Sequence, residues 1–283
     1  MAREIFISYS RWNLEQVKAI KSEIEQATGA ECWMDLNAIE SGATQFTQDI
    51  VDGINTCPVF LFMLSKESQA SKFALGELNL ASKKAEKNVQ KHVVIVNIDG
   101  CEMCDSFYLL YSLADTIAWQ NQPQKEKLLR DLKRWTEQEK EHQRKLRELD
   151  GVELKPIERG GKFGFADETG KVVIPCQWES AGSFSEGLAA VKDDKKKWGF
   201  IDKTGTVMIP FQWDEVAYFF SEGLAPVKDD KDKWGFIDKT GILIIPCQWK
   251  TAAPFLNGVA VVLDADWKWW FIDKTGKVVG KAL

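Results

Sequence analysis

The strongest constraint on this chain is that its second half repeats itself. GFADETGKVVIPCQW, WGFIDKTGTVMIPFQW and WGFIDKTGILIIPCQW are near copies, followed by a partial copy, WFIDKTGKVVG. The aromatic anchors Phe163, Trp198, Trp234 and Trp269 are spaced 35, 36 and 35 residues apart. SEGLA recurs at Ser185 and Ser221, with LNGVA at Leu256. A period of this length makes each copy one supersecondary unit that buries its apolar face against its neighbours. In each copy, an apolar run, D-K-T-G and a second apolar run spell a hairpin. Gly205, Gly241 and Gly276 take its left-handed position. LAAVKDD and LAPVKDD supply a further strand. The pattern predicts roughly three strands per repeat in an antiparallel array, with Trp and Phe stacked between copies. Pro175, Pro210 and Pro246 are expected to stop the second strand of each hairpin. Both a closed ring and an open array suit this number of copies.

The first 120 residues have another rhythm. EIFISYS reads as a buried strand, and Leu14 to Ala27 as a helix with Val17, Ile20 and Ile24 on one face. ECWMD is a short strand, and Thr44 to Ile54 a helix. PVFLFML, opening on Pro58, suits a central parallel strand. A helix carrying Ala74, Leu78, Ala81 and Ala85 on one stripe follows. HVVIVNID is another buried strand and DTIAW a fifth. This βαβα order predicts a parallel five-stranded sheet with helices on both faces. The organisation expected is an α/β domain over 1–121, a charged helical connector over 122–150 and an all-β repeat domain over 151–283. In the connector, Leu128, Leu129, Leu132 and Trp135 form an apolar patch that can pack on the first domain. Its heptad pattern is too short for a coiled coil.

Composition narrows the function. Net charge is −5, distributed as −6 over residues 1–120, +2 over 121–150 and −1 over 151–283. No segment offers the basic surface that nucleic-acid binding needs. No apolar run reaches the length of a membrane span, and MAREIFISYS lacks the pattern of a secretory leader, so the expected location is cytoplasmic. The six cysteines read as reduced thiols. Cys101 and Cys104 form one CxxC pair, with only His92 and His142 as histidines, so no metal site is expected.

No Ser-His-Asp or Cys-His arrangement can be assembled, and neither a GxGxxG nor a P-loop follows any strand. An open parallel sheet binds ligands beyond the carboxyl ends of its strands, where strand order reverses. Ser8, Tyr9, Ser10 and Arg11 leave the first strand, and Asp35 the second. Ser65 to Ser68 leave the third and lead into the helix that carries Glu77. Glu77 lies beside that helix's apolar stripe, one turn from Phe73. Taken alone it reads as a partly solvated helix carboxylate. Ser8 and Ser10 can equally bond backbone, and Arg11 can be solvated.

Two family resemblances sharpen these readings. The repeats resemble the WG-repeat family, which implies architecture more than activity. The first half resembles a TIR (Toll/interleukin-1 receptor) domain, an α/β flavodoxin-like fold, over about residues 3–120. FISYS (Phe6 to Ser10) matches its first box, and WMDLNAIESG (Trp33 to Gly42) its second strand and following loop. FALGEL (Phe73 to Leu78) matches the aromatic-x-x-x-Glu-Leu pattern of its third helix. Many bacterial-type TIR domains are similar to NAD glycohydrolases, hydrolases that cleave NAD to nicotinamide and ADP-ribose or a cyclic form. The resemblance implies Glu77 as catalytic and Phe73 as its neighbouring aromatic. It places Ser10 and Arg11 near the phosphates or ribose of NAD, makes Phe73 and, at the site's edge on the end of the second strand, Trp33 and Asp35 NAD-binding as well, and puts Ile39 to Gly42 in a mobile loop that gates the site or contacts a neighbour. NAD is substrate, and no further cofactor is implied. The chain departs from the family at Phe73, often Trp, at Asn13, often acidic, and at Ser41, often Pro.

Further implications are a homo-oligomer through TIR domains, even a filament, and a role in innate immunity or antiviral defence through NAD depletion. The WG repeats become a sensor or assembly module for an unknown activating ligand or protein. The alternatives are a non-enzymatic TIR adaptor or scaffold and an effector that interferes with TIR signalling.

Overall fold

The computed structural model describes residues 4–34, 48–87, 91–104, 107 and 116–282. The chain divides into two compact units, one of residues 1–86 and 90–143, the other of 87–89 and 144–283.

The first unit is built on five parallel strands: β1 (Ile5–Ser8), β2 (Cys32–Trp33), β3 (Val59–Leu64), β4 (His92–Asn97) and β5 (Thr116–Ala118), in the order β2-β1-β3-β4-β5. This is the flavodoxin-like arrangement, and the order reverses between β1 and β3. The helices are α1 (Leu14–Thr28), α2 (Gln48–Thr56), α3 (Lys66–Ala70), α4 (Lys72–Lys87) and α5 (Gln122–Glu148). Because successive strand residues point to opposite faces, β1 and β3 feed two apolar layers. Ile5, Ile7, Leu61 and Met63 pack with Val17, Ile20 and Ile24 of α1. Phe6, Phe60, Phe62 and Leu64 pack with Ile50 and Ile54 of α2 and with Ala74, Leu78 and Ala81 of α4.

Helix α5 is more than a spacer. Leu128, Leu132 and Thr136 are buried, and the two leucines sit in the same layer as α1. Trp135 stacks on His92 at 3.9 Å with the rings 8° from parallel. Burial holds the His92 imidazole below its ordinary pKa, and the Arg134 charge adds to the effect. At this same, amino-terminal end of the strands the Lys91 amine is buried. It donates to the Cys57 carbonyl at 2.7 Å and to that of Ile54, closing the last turn of α2.

In the second unit every sheet is antiparallel. A three-stranded sheet joins β6 (Lys155–Arg159), β7 (Lys162–Ala166) and β8 (Val172–Trp178). The next comprises β9 (Ser180–Ala181), β10 (Leu188–Lys192), β11 (Trp198–Asp202) and β12 (Val207–Trp213). Two further four-stranded sheets follow the same plan, β13 (Glu215–Val216) to β16 (Leu243–Trp249) and β17 (Thr251–Ala252) to β20 (Val278–Lys281). Neighbouring sheets share their cores: Ala225, Val227 and Ile237 pack with Leu188, Ala190, Phe200 and Trp213. The fourth strand, absent from the three-strand expectation, is two residues long and leaves no alternating pattern to read.

Local chemistry explains each repeated motif. Asp167, Asp202, Asp238 and Asp273 each fold the D-x-T-G turn around one carboxylate oxygen. Oδ1 of Asp238 accepts from the Thr240 N–H at 2.8 Å, the Thr240 hydroxyl at 2.6 Å and the Ile242 N–H at 3.0 Å. The same three bonds recur at the other aspartates. In SEGL, Glu186 and Gly187 both have positive φ, 50° and 90°, as a tight two-residue hairpin turn requires.

The glycine of the WG pair is required by close approach. A Cβ at Gly164, Gly199 or Gly235 would lie 2.5–2.6 Å from the carbonyl oxygen of Ile174, Ile209 or Ile245 on the adjacent strand. The register of that strand shifts at this point. The shift also accounts for a correction. Pro175, Pro210 and Pro246 do not end the second strand but lie within β8, β12 and β16. Each of these is the edge strand of its sheet, where a missing N–H is tolerated. The fourth copy has Trp270 in place of glycine, and there Phe271 faces Gly280 instead.

A ladder of side chains links successive repeats. The Ser185 hydroxyl donates to the Phe220 carbonyl at 2.8 Å, and the Ser221 hydroxyl to that of Phe255 at 2.6 Å. Glu186 accepts from the Gly223 N–H at 3.2 Å and pairs with Lys239 at 2.8 Å. Glu222 accepts from the Gly258 N–H at 3.0 Å and pairs with Lys274 at 3.0 Å. The fourth repeat has Leu256 and Asn257 in the places of that serine and glutamate. At the first repeat, Lys203 donates to the carbonyl of Val152 at 2.7 Å and of Leu149 at 3.3 Å. Leu149-Asp150-Gly151-Val152 stands where later repeats carry SEGL or LNGV, and the Val152 N–H closes it onto the Leu149 carbonyl at 3.1 Å. The array therefore begins at Leu149, and the LDGV signature is the sequence signal for it.

Candidate active site

The point where strand order reverses gathers three loops. After β1 the chain makes a 3-10 turn over Arg11–Asn13. After β3, Ser65 caps α3 reciprocally: its hydroxyl accepts the Ser68 N–H at 3.0 Å, and Ser68 Oγ accepts the Ser65 N–H at 2.8 Å. Asn13 joins the two loops, taking the Ser65 hydroxyl proton at 2.7 Å and donating to Glu67 at 3.3 Å. The loop after β4 is tied in as Asp99 accepts from the Lys66 N–H at 3.0 Å. Burial pushes the Asp99 carboxyl up, but N–H donors led by Lys66 outweigh it and hold it below its ordinary range. Glu67 is lowered by its own backbone N–H and by Asn13.

Glu77 projects from α4, next to Leu78 of the apolar layer that also contains Phe60 and Phe62. It is only 5% exposed, so it is not a solvated surface carboxylate. Burying a carboxylate is costly, and such groups cluster where a protein uses charge. Ser10 is buried at the start of the 3-10 turn, and its side chain does not cap that turn. Arg11 is exposed, with its guanidinium 5.5 Å from the centre of the Trp12 ring. Ser10 and Arg11 thus lie in the loop that leaves β1, and Glu77 lies on α4, the second helix after β3.

Trp33 is turned toward the core. Its ring lies 4.7 Å from that of Phe6, and a Cβ at Gly53 would approach it to 2.6 Å. Asp35, the loop Ile39 to Gly42 and the Phe73 side chain lie outside the described residues. Sequence reasoning missed the bridge from Asn13 to Ser65 and Glu67, since nothing in the order of residues pairs positions more than 50 apart. Among the described residues no cluster of His, Cys, Asp and Glu could hold a metal ion, and no helix is long and apolar enough to cross a membrane. No disulfide is formed among the described residues.

The fold and its crevice have a family. Residues 5–143 match the TIR domain model, and this half of the chain is a TIR domain. Residues 163–196, 198–233 and 234–264 match the WG containing repeat, so the protein is a TIR domain fused to C-terminal WG repeats. Similar solved structures include the TIR domain of the Toll-related receptor TRR-2 from Hydra magnipapillata, at 13% identity, covering 45% of this chain and 96% of that one with a TM-score of 0.33. HIRA(644-1017) is 12% identical over 46% of this chain and 49% of its own, with a TM-score of 0.30. BamB from Moraxella catarrhalis is 14% identical over 46% of this chain and 47% of its own, with a TM-score of 0.32. The chain spans about half the length of these last two. No curated protein matches it.

Proposed function

We propose that the TIR half is an NAD glycohydrolase, releasing nicotinamide from NAD and leaving ADP-ribose or a cyclic form. The observation that carries this reading is the buried Glu77 carboxylate on the helix beyond the reversal point, beside an apolar layer. Cleavage of the nicotinamide–ribose bond passes through an oxocarbenium-like ribosyl cation. Nicotinamide leaves a cationic pyridinium as a neutral molecule, so no general acid has to protonate it. The one indispensable group is an anion beside the developing cation, and Glu77 supplies it. Apolar surroundings make that charge contact far stronger than in water. Water or a hydroxyl of the same molecule then captures the cation and loses a proton. In this reading Ser10 and Arg11 meet the phosphates or ribose, Phe73 lines the nicotinamide end, Asp35 bounds the crevice from the end of the second strand, and Trp33, its ring on Phe6, braces that strand from the core side. Assembly of TIR domains activates the site, and the WG repeats act as sensor or assembly module.

The experiment is nicotinamide release from NAD by concentrated protein, wild type beside Glu77→Gln. Equal turnover by both would remove Glu77 from the chemistry. A scaffold reading draws on one observation: Trp12 is 76% exposed at the crevice rim, as a contact residue would be. Absence of turnover together with Trp12-dependent self-association would favour it.

A further inference from the structure

Ser8 is the last residue of β1, is 1% exposed, and its hydroxyl has no hydrogen-bond partner among the described residues. Such a group is uncommon, because a buried hydroxyl gives up its bonds to water and, unpaired, regains nothing for them. The alternation of β1 fixes where it points. Phe6, two residues earlier, belongs to the layer under α4, so Ser8 faces the same side. Its register partner on β3 is Phe62, a member of that layer. The hydroxyl therefore lies at the carboxyl end of β1, at the reversal point, on the sheet face that α4, the helix of Glu77, covers with Ala74, Leu78 and Ala81.

We infer that Ser8 Oγ is a substrate-binding group that hydrogen-bonds a hydroxyl of the ribose bearing nicotinamide. This rests on the glycohydrolase reading. The argument is one of position and need. A carboxylate that steadies the ribosyl cation brings the ribose hydroxyls beside it, and a serine hydroxyl can both donate to them and accept from them. Nothing among the described residues satisfies Ser8, so in this reading the bound sugar completes its bond. Folding alone would be better served by alanine, and that separates a binding role from a structural one.

The test pairs two readouts on the full chain. Ser8→Ala should melt at or above the wild-type temperature, by up to about 2–4 °C, because a buried unpaired polar group is removed. Its kcat/KM for NAD should fall about tenfold, the loss of one hydrogen bond. Against the analogue of NAD that lacks the relevant ribose hydroxyl, 2′-deoxy or 3′-deoxy, wild type and Ser8→Ala should be equal, and Ser8→Thr should recover part of the loss on NAD. In parallel, the NAD-induced rise in melting temperature is measured in Glu77→Gln with and without Ser8→Ala. A smaller rise without the hydroxyl upholds the inference even where Glu77 proves dispensable for turnover. Turnover that is unchanged by Ser8→Ala, or reduced equally for NAD and both deoxy analogues, overturns it while leaving the glycohydrolase reading intact. Neither turnover nor an NAD-induced shift in any variant overturns both.

Discussion

The two halves of this protein treat carboxylates in opposite ways. In the repeats, each turn aspartate spends one oxygen on three donors, and Glu186 and Glu222 are clasped by the next repeat's lysine and N–H. Asp202 is buried and the other groups lie at or near the surface, and all of them shape the chain. In the TIR half, Glu77 is withdrawn from water on the flank of an apolar layer. Ionised side chains that define turns are structural wherever they recur. A buried one on a helix that follows the central strand of a parallel sheet is a candidate for chemistry.

The contrast can be broken at both ends. The largest expected effect is on rate: Glu77→Gln should lower nicotinamide release about 100-fold or more, the scale of a preorganised charge contact. Asp238→Asn should leave that rate unchanged. Next comes Gly235→Ala, which forces a Cβ to within 2.6 Å of the Ile245 oxygen. It should cost about 2–3 kcal/mol in denaturant unfolding followed by tryptophan fluorescence, which the repeats dominate with eight of the twelve tryptophans. Asp238→Ala removes three bonds from one turn and should cost about 1–2 kcal/mol by the same measurement. Glu222→Gln weakens a surface rung and should shift the midpoint least of these variants.

The pH dependence sharpens the comparison from the TIR side. His92 is held below its ordinary pKa by burial, so the unfolded chain takes up a proton more readily than the folded one. The stability linked to this group is fully present above about pH 6.5 and is lost as pH falls through the folded value. Denaturant midpoints read by far-ultraviolet circular dichroism, which follows the helices, should fall between pH 7 and 5. They should fall less in His92→Phe, which keeps a ring against Trp135.

Much of this was legible because the patterns were local. Val17, Ile20 and Ile24 did mark the buried face of α1, and the 35- and 36-residue spacing did mark the repeats. Glu77 was legible as a boundary residue, one position from Leu78, although its depth was not: the layers that enclose it come from strands far away in sequence. The prolines misled because an edge strand at a register shift accommodates what a central strand would refuse. The start of the array at Leu149 was hidden by the helical pattern running into it. Trp33 carried an aromatic expected at the site's edge, yet Gly53 leaves a space that its ring fills from the core side. The crevice network escaped notice because Asn13, Ser65 and Asp99 meet only after the sheet forms.

The substitution of Leu256 and Asn257 into the fourth repeat has an evolutionary corollary. A unit appended behind that repeat would find neither a hydroxyl for its backbone carbonyl nor an acid for its lysine. Duplication of the stretch between Ser185 and Phe220 would instead deliver both, intact, to each new neighbour. Gain or loss of whole units therefore has an open route through the middle of the array and a harder one behind the repeat of Leu256 and Asn257.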